Sequence, residues 1–286
     1  MLIDVLNVKI MDCVKMAMIN YDEAFNSAKL IPAAHLFIKN WTANSKQFQK
    51  CFKKDSKAQL DIPYGDNSSM RMDIFSPGAY VEANLLFVHG GFWTGYDKSV
   101  FSHLGMGPIL NNVRCIFPNL PKPPDVSLSE MRIALSECIA NIARKYSGPI
   151  ILLGHQSGAQ LAGQCITSEN LSDELAARIN HTVLISPISD LRPIFYSKYR
   201  DEIGLTEDLA QSESPLLQAK HKNVKVTIWV GSDERAIYID QAQQLATAWK
   251  CGWFKSNNRH HFDIIEDLEK QNSKLTTMVL THLHPH

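Results

Sequence analysis

The chain has 286 residues, enough to build one large hydrophobic core, since α/β domains of this size often run as a single unit. Lysine plus arginine and aspartate plus glutamate both total 29, so no net field recruits nucleic acid or an acidic surface. The cysteines at 13, 51, 115, 138, 165 and 251 show neither C-x-x-C nor paired spacing, and Cys115 and Cys138 fall in apolar patterns, which excludes a disulfide framework and predicts free thiols in a reducing compartment.

Met1 to Met18 is moderately apolar, but Asp4, Lys9, Asp12 and Lys15 interrupt it, so it reads neither as a secretory leader nor as a membrane span. Residues 1–20 are expected to be an appendage to a single domain over 1–286, with Met16 or Met18 as alternative starts, and a cytoplasmic location follows. From about residue 70, strands and helices alternate. Arg71–Phe75 alternates like a half-exposed strand, and Asn84–Val88 is a continuous apolar run ending at Gly90-Gly91. Further runs at Val113–Phe117, Ile150–Leu153, Thr182–Ile185 and Val224–Val230 suit buried parallel strands. Between them, Ser127 and Glu130 form a capping-box pattern ahead of Met131, Ala134, Leu135, Cys138, Ile139 and Ile142, a one-faced amphipathic helix. Tyr238, Ala242, Leu245, Ala246 and Trp249 repeat that spacing. The alternation predicts a mostly parallel sheet covered on both faces, and the polar, proline-broken segment 190–217 reads as a small cap, the favoured alternative, or as a long connection.

Four local features carry chemistry, in a fixed order. His89-Gly90-Gly91-Phe92-Trp93 ends a strand, and its glycines let backbone N–H groups approach a developing oxyanion. Gly154-His155-Gln156-Ser157-Gly158 follows an apolar run and opens a helix, the strand–turn–helix setting of a G-x-S-x-G nucleophile elbow. Its middle position is Gln156, and Ser157 comes one residue late. Trp229-Val230-Gly231-Ser232-Asp233-Glu234 ends a strand in two carboxylates, one of which would orient an imidazole. Arg259-His260-His261-Phe262 then supplies a histidine after the acid.

These motifs, with Leu60-Asp61-Ile62-Pro63-Tyr64-Gly65, Asp97-Lys98-Ser99, Ser186-Pro187-Ile188-Ser189-Asp190-Leu191-Arg192-Pro193 and His261-Phe262-Asp263-Ile264-Ile265-Glu266, run through most of the chain. In them the chain resembles the α/β-hydrolase-fold arylformamidases (kynurenine formamidases) and the bacterial esterase-like proteins close to them. The resemblance implies an α/β-hydrolase fold, His261 as general base, Gly90 and Gly91 as the oxyanion loop, and Glu234 as the orienting acid with Asp233 as fallback. The family's elbow reads G-H-S-A-G, which aligns without a gap on Gly154–Gly158 and sets Gln156 where its serine stands.

Two readings stay open. In one, Ser157 attacks a small carboxylic ester or an N-formylkynurenine-like aryl-formamide, with His261 as base, Glu234 behind it, and Phe92 and Trp93 walling an aromatic pocket. In the other, the chain is a silent pseudo-hydrolase that binds a ligand or partner in the retained pocket, because a carboxamide is no nucleophile. Neither reading calls for a cofactor, a metal, nucleic acid or a membrane; a small molecule is the expected partner, and a homodimer is compatible with both. His282-Leu283-His284-Pro285-His286 lacks acidic or cysteine partners and reads as a terminal tail.

Overall fold

The computed structural model describes residues 19–283. Eight strands, β1 (Ala58–Pro63), β2 (Arg71–Phe75), β3 (Ala83–Val88), β4 (Val113–Pro118), β5 (Ile150–His155), β6 (Ile179–Ile185), β7 (Val226–Gly231) and β8 (Gly252–Ser256), form one sheet. Its order is β1-β2-β4-β3-β5-β6-β7-β8. β2 pairs antiparallel with β1 and β4, and every other pairing is parallel.

The apolar runs are continuous because both faces of the sheet are covered. Leu86, Val88, Ile150 and Leu152 belong to the core on one face; Leu85, Phe87, Ile151 and Leu153 belong to the core on the other. Helices α2 (Leu128–Lys145), α3 (Ser157–Cys165) and α4 (Ala236–Trp249) cover the first face through Leu135, Leu161 and Leu245. Helices α1 (Ala34–Lys54) and α5 (Lys274–Leu280) cover the second, where Phe48 packs on Phe75 at 4.9 Å between ring centroids. The Ser127–Glu130 capping box is formed at the start of α2.

Among the elements the sequence pattern misses, three have a reason visible in their burial. β1 and β8 are the edge strands, exposed along much of their length, so neither carries a continuous apolar run. Helix α1 fully buries only Trp41, Ser45 and Phe48, and its other apolar residues, such as Phe37, Ile38 and Phe52, are only partly covered among many polar ones. β2 differs from its expected half-exposure: all but Arg71 are buried, because the polar member of the pattern, Asp73, pairs with the buried Lys98 ammonium at 3.1 Å.

Segment 190–217 forms four short helical pieces, Arg192–Phe195, Tyr199–Glu202, Glu207–Ser212 and Pro215–Leu217. Cys115 and Cys138 are buried free thiols; Cys13, the appendage over residues 1–18 and His284–His286 lie outside the described residues. No helix among the described residues is long and apolar enough to cross a membrane.

His103, His155 and His181 are buried, and burial lowers the pKa of each: to about 4 for His103 and His181, well below the ordinary value for His155. The folded chain therefore keeps these imidazoles neutral where an unfolded chain takes up protons. Their contribution is present above the unfolded histidine pKa near 6.5 and is lost as pH falls toward 4. Urea titrations at about pH 7.5 and about pH 5 should differ, with a loss on the order of 2 kcal/mol for each of His103 and His181 at the lower pH and a further loss from His155.

Candidate functional site

The parallel strands β3, β5, β6 and β7 all end at the same rim of the sheet, and the loops leaving them carry the residues singled out above. Gly154 and Gly158 make the turn after β5 geometrically feasible. A Cβ on Gly158 would meet the Val88 carbonyl oxygen at 2.1 Å, and one on Gly154 would meet the Ala159 Cα at 2.6 Å. Between these glycines Gln156 adopts φ 52° and ψ −115°, a left-handed conformation that a side chain rarely takes. Ser157 is already the first residue of α3. The apex of the elbow is therefore Gln156, and the two small positions flank it rather than Ser157.

The loop after β3 turns its amides inward. Gly91, Phe92 and Trp93 have φ of 121°, 50° and 65°, a run that forms a concave nest of N–H donors. The Gly91 and Phe92 amides donate to Gln156 Oε1 at 2.8 and 3.1 Å. Gly90 contributes space rather than a donor: a Cβ there would lie 2.9 Å from Gln156 Oε1. The amides that converge are those of Gly91 and Phe92, within the loop expected to face an oxyanion, and the Gln156 carbonyl occupies their focus. Gln156 Nε2 donates to the Tyr238 hydroxyl at 3.4 Å, and the Tyr238 ring lies 4.4 Å from that of His261.

Ser157 is placed elsewhere. Its Oγ accepts from the Trp93 amide at 3.3 Å and donates to Gln156 Oε1 at 3.3 Å. It borders a small inner cavity of about 20 Å³ with Trp93, Met131 and Leu161. Trp93 is corrected along with it: buried behind the elbow, it donates from Nε1 to Gln160 Oε1 at 2.8 Å and does not wall the outer pocket.

That outer cavity, about 160 Å³, is lined by Gln156 and His261 and by an aromatic wall that includes Phe25, Trp41, Phe92 and Tyr199. Tyr199, from segment 190–217, stacks on Phe92 at 4.0 Å with parallel planes. His261 Nδ1 lies 2.6 Å from Glu234 Oε2. Glu234 also accepts from the Ser186 hydroxyl at 2.5 Å and the Gly231 amide at 2.9 Å, so its carboxylate is fixed and buried. The Nδ1 proton faces the carboxylate, which leaves Nε2 as the basic nitrogen. Asp233 is exposed and accepts from its neighbour Ser232, whereas Glu234 lies beside the imidazole.

Counting bonds shows what this arrangement amounts to. A serine acyl-enzyme runs Cα–Cβ–Oγ–C(=O); glutamine runs Cα–Cβ–Cγ–Cδ(=O)–N. Gln156 has the same length and carries its carbonyl into the same N–H pair, but a methylene replaces the ester oxygen. The side chain is a permanent analogue of an acylated serine, and its Cβ–Cγ–Cδ links cannot be hydrolysed.

Several residues here were not legible as motifs. Tyr199 comes from a segment without periodicity, and Tyr238 belongs to an ordinary amphipathic pattern. Ser186 had one local signal, its place directly after an apolar run. Among the described residues, no group of three or more histidine, cysteine, aspartate or glutamate side chains could hold a metal.

Comparison with known proteins bears on lineage. The alpha/beta hydrolase family profile matches residues 85–255. The kynurenine formamidase of Danio rerio is 22% identical over 235 residues, covering 77% of this chain and 80% of that protein. The kynurenine formamidase of Drosophila melanogaster is 21% identical over 236 residues, covering 74% of each. Among solved structures, a candidate thioesterase from Silicibacter sp. TM1040 superposes with TM-score 0.87 at 32% identity, covering 90% of this chain and 98% of that one. Esterase B from Lactobacillus rhamnosis, inhibited by a tributyrin phosphonate, shares the fold at TM-score 0.62 and 13% identity, over 85% and 90% of the two chains.

The tight packing of the elbow sets a stability test. Gly158→Ala should cost at least ~1–3 kcal/mol in urea unfolding, because the added methyl presses on the β3 carbonyls rather than on a yielding side chain.

Proposed function

The chain belongs to the α/β-hydrolase family, and on that premise we propose that it is a pseudo-hydrolase: it does not turn over esters or aryl-formamides through a serine acyl-enzyme, and it binds a small aromatic ligand in the outer cavity. The observation that carries this reading is the Gln156 carbonyl seated on the Gly91 and Phe92 amides. Those donors stabilise a developing oxyanion only when a substrate carbonyl can reach them, and here a side chain of the protein already fills the place. The position of the acyl group is taken; what stays open is the aromatic side of the pocket, where an aryl leaving group would lie. At about 160 Å³ that space suits a single substituted ring, comparable to cavities that admit benzene.

One observation favours the second reading, hydrolysis of a small ester or N-formylkynurenine-like aryl-formamide with Ser157 attacking. The Glu234–His261 pair keeps the geometry of an acid-oriented base. For Ser157 to use it, the turn would have to rebuild by one residue and free its hydroxyl from the Trp93 amide.

A fluorophosphonate probe followed by peptide mapping separates the two. The native chain should give no adduct, and a label on Ser157 would overturn the proposal. The double variant Gln156→Ser with Ser157→Ala should be labelled at position 156 and gain hydrolysis of p-nitrophenyl acetate or N-formylkynurenine. On the binding side, Tyr199→Ala should weaken an aromatic amine such as kynurenine, measured by calorimetry, by roughly three- to tenfold, the scale of one lost aromatic pair.

A further inference from the structure

The carbon of the Gln156 carboxamide lies where an acyl-enzyme is attacked by water, and the machinery for that attack surrounds it. Its oxygen is held by two backbone N–H donors, at 2.8 and 3.1 Å. His261, oriented by Glu234 at 2.6 Å, lines the same cavity as Gln156. Tyr238 bridges the two, accepting from Gln156 Nε2 and packing its ring on His261. A carbonyl polarised in this way beside an oriented imidazole is in the ground-state arrangement for general-base hydrolysis.

We propose that the site hydrolyses its own side chain, converting Gln156 to a glutamate and releasing ammonia. Water entering the outer cavity gives a proton to His261 Nε2 while its oxygen bonds to Gln156 Cδ. The carbonyl π electrons move to Oε1, and the Gly91 and Phe92 amides hold the resulting oxyanion. The tetrahedral centre then collapses: the Cδ–Nε2 bond breaks, the imidazolium returns its proton to the departing nitrogen, and ammonia leaves a carboxylic acid that ionises. Gln156 plus water gives glutamate plus ammonia, with no oxidant, reductant or further reactant.

This rests on the reading that Gln156, not Ser157, occupies the reacting position. The chain contains its own control. Gln241 is also buried, and its Oε1 also accepts from two backbone amides, Ser189 at 2.7 Å and Asp190 at 3.1 Å. Its Nε2 donates to the Asp190 carbonyl, and among the described residues no histidine hydrogen-bonds to its carboxamide. Gln241 has the donor pair without the cavity and the base, so it gives the background rate, and loss of the difference on replacing His261 assigns it to the imidazole.

The test is incubation of the full chain in oxygen-18 water in a mildly alkaline buffer, with peptide mapping by mass spectrometry. Position 156 should become glutamate, with one oxygen-18 atom, at least ~100-fold faster than Gln241, the low end for a general base. His261→Asn should bring the two rates together, and Glu234→Gln should slow position 156 as a second, less disruptive variant. Conversion already complete on purification of the native chain, with the amide intact in His261→Asn, would support the proposal equally. Conversion no faster than at Gln241, a rate insensitive to His261→Asn, or a γ-linked product from attack by the Ser157 amide would each overturn it. A fluorophosphonate adduct on Ser157 in the same sample would overturn the pseudo-hydrolase reading and this proposal together; no adduct and no conversion would remove the self-hydrolysis alone.

Discussion

The left-handed turn at Gln156 is the constraint on which the rest of the site depends. β5 must end and α3 must begin within a single residue, so that the helix packs directly on the β3 carbonyls. Only glycine fits at 154 and 158 under that demand, and the residue between them is forced to φ 52°. A side chain on such an apex has one direction open to it, toward the N–H nest after β3 and the imidazole after β8. Whatever residue stands there is presented to the chemistry, and the following residue is committed to the helix.

Gln156 meets that demand at little electrostatic cost. The nest is built to receive partial or full negative charge, and an amide oxygen supplies an acceptor without bringing an ion into a buried place. Its amide nitrogen finds the Tyr238 hydroxyl. Each polar atom has a partner, so the substitution leaves no buried group orphaned and the elbow retains its shape. The Glu234–His261 pair is independent of the residue at the apex, because Ser186 and Gly231 fix the carboxylate from the ends of β6 and β7. The oriented imidazole therefore persists beside a residue that is no nucleophile, while the aromatic wall keeps a pocket of about 160 Å³.

Much of the fold was legible in the chain alone. The parallel strands β3 to β7 announced themselves because both faces are buried, which leaves continuous apolar runs bounded by glycine, proline or asparagine. The edges β1 and β8 did not, since a strand with a solvated face carries no such run. Glu234 and His261 were readable as an ordered pair, and the structure brings them together, whereas Asp233 turns out to solvent. Phe92 and Trp93 are neighbours in sequence, yet one faces the outer cavity and the other the core. Successive left-handed residues reverse the chain between them, and no pattern of residue types reports that.

The sequence by itself determined the lineage, the order of the catalytic motifs, and the presence of glutamine where a serine belongs. These are properties of residue type and spacing, and spacing survives without coordinates. Only the tertiary structure decided which of Gln156 and Ser157 faces the imidazole. That choice depends on the backbone dihedrals of one turn, and those are set by how closely α3 approaches the β3 carbonyl of Val88, a contact between Gly158 and a residue about 70 positions earlier.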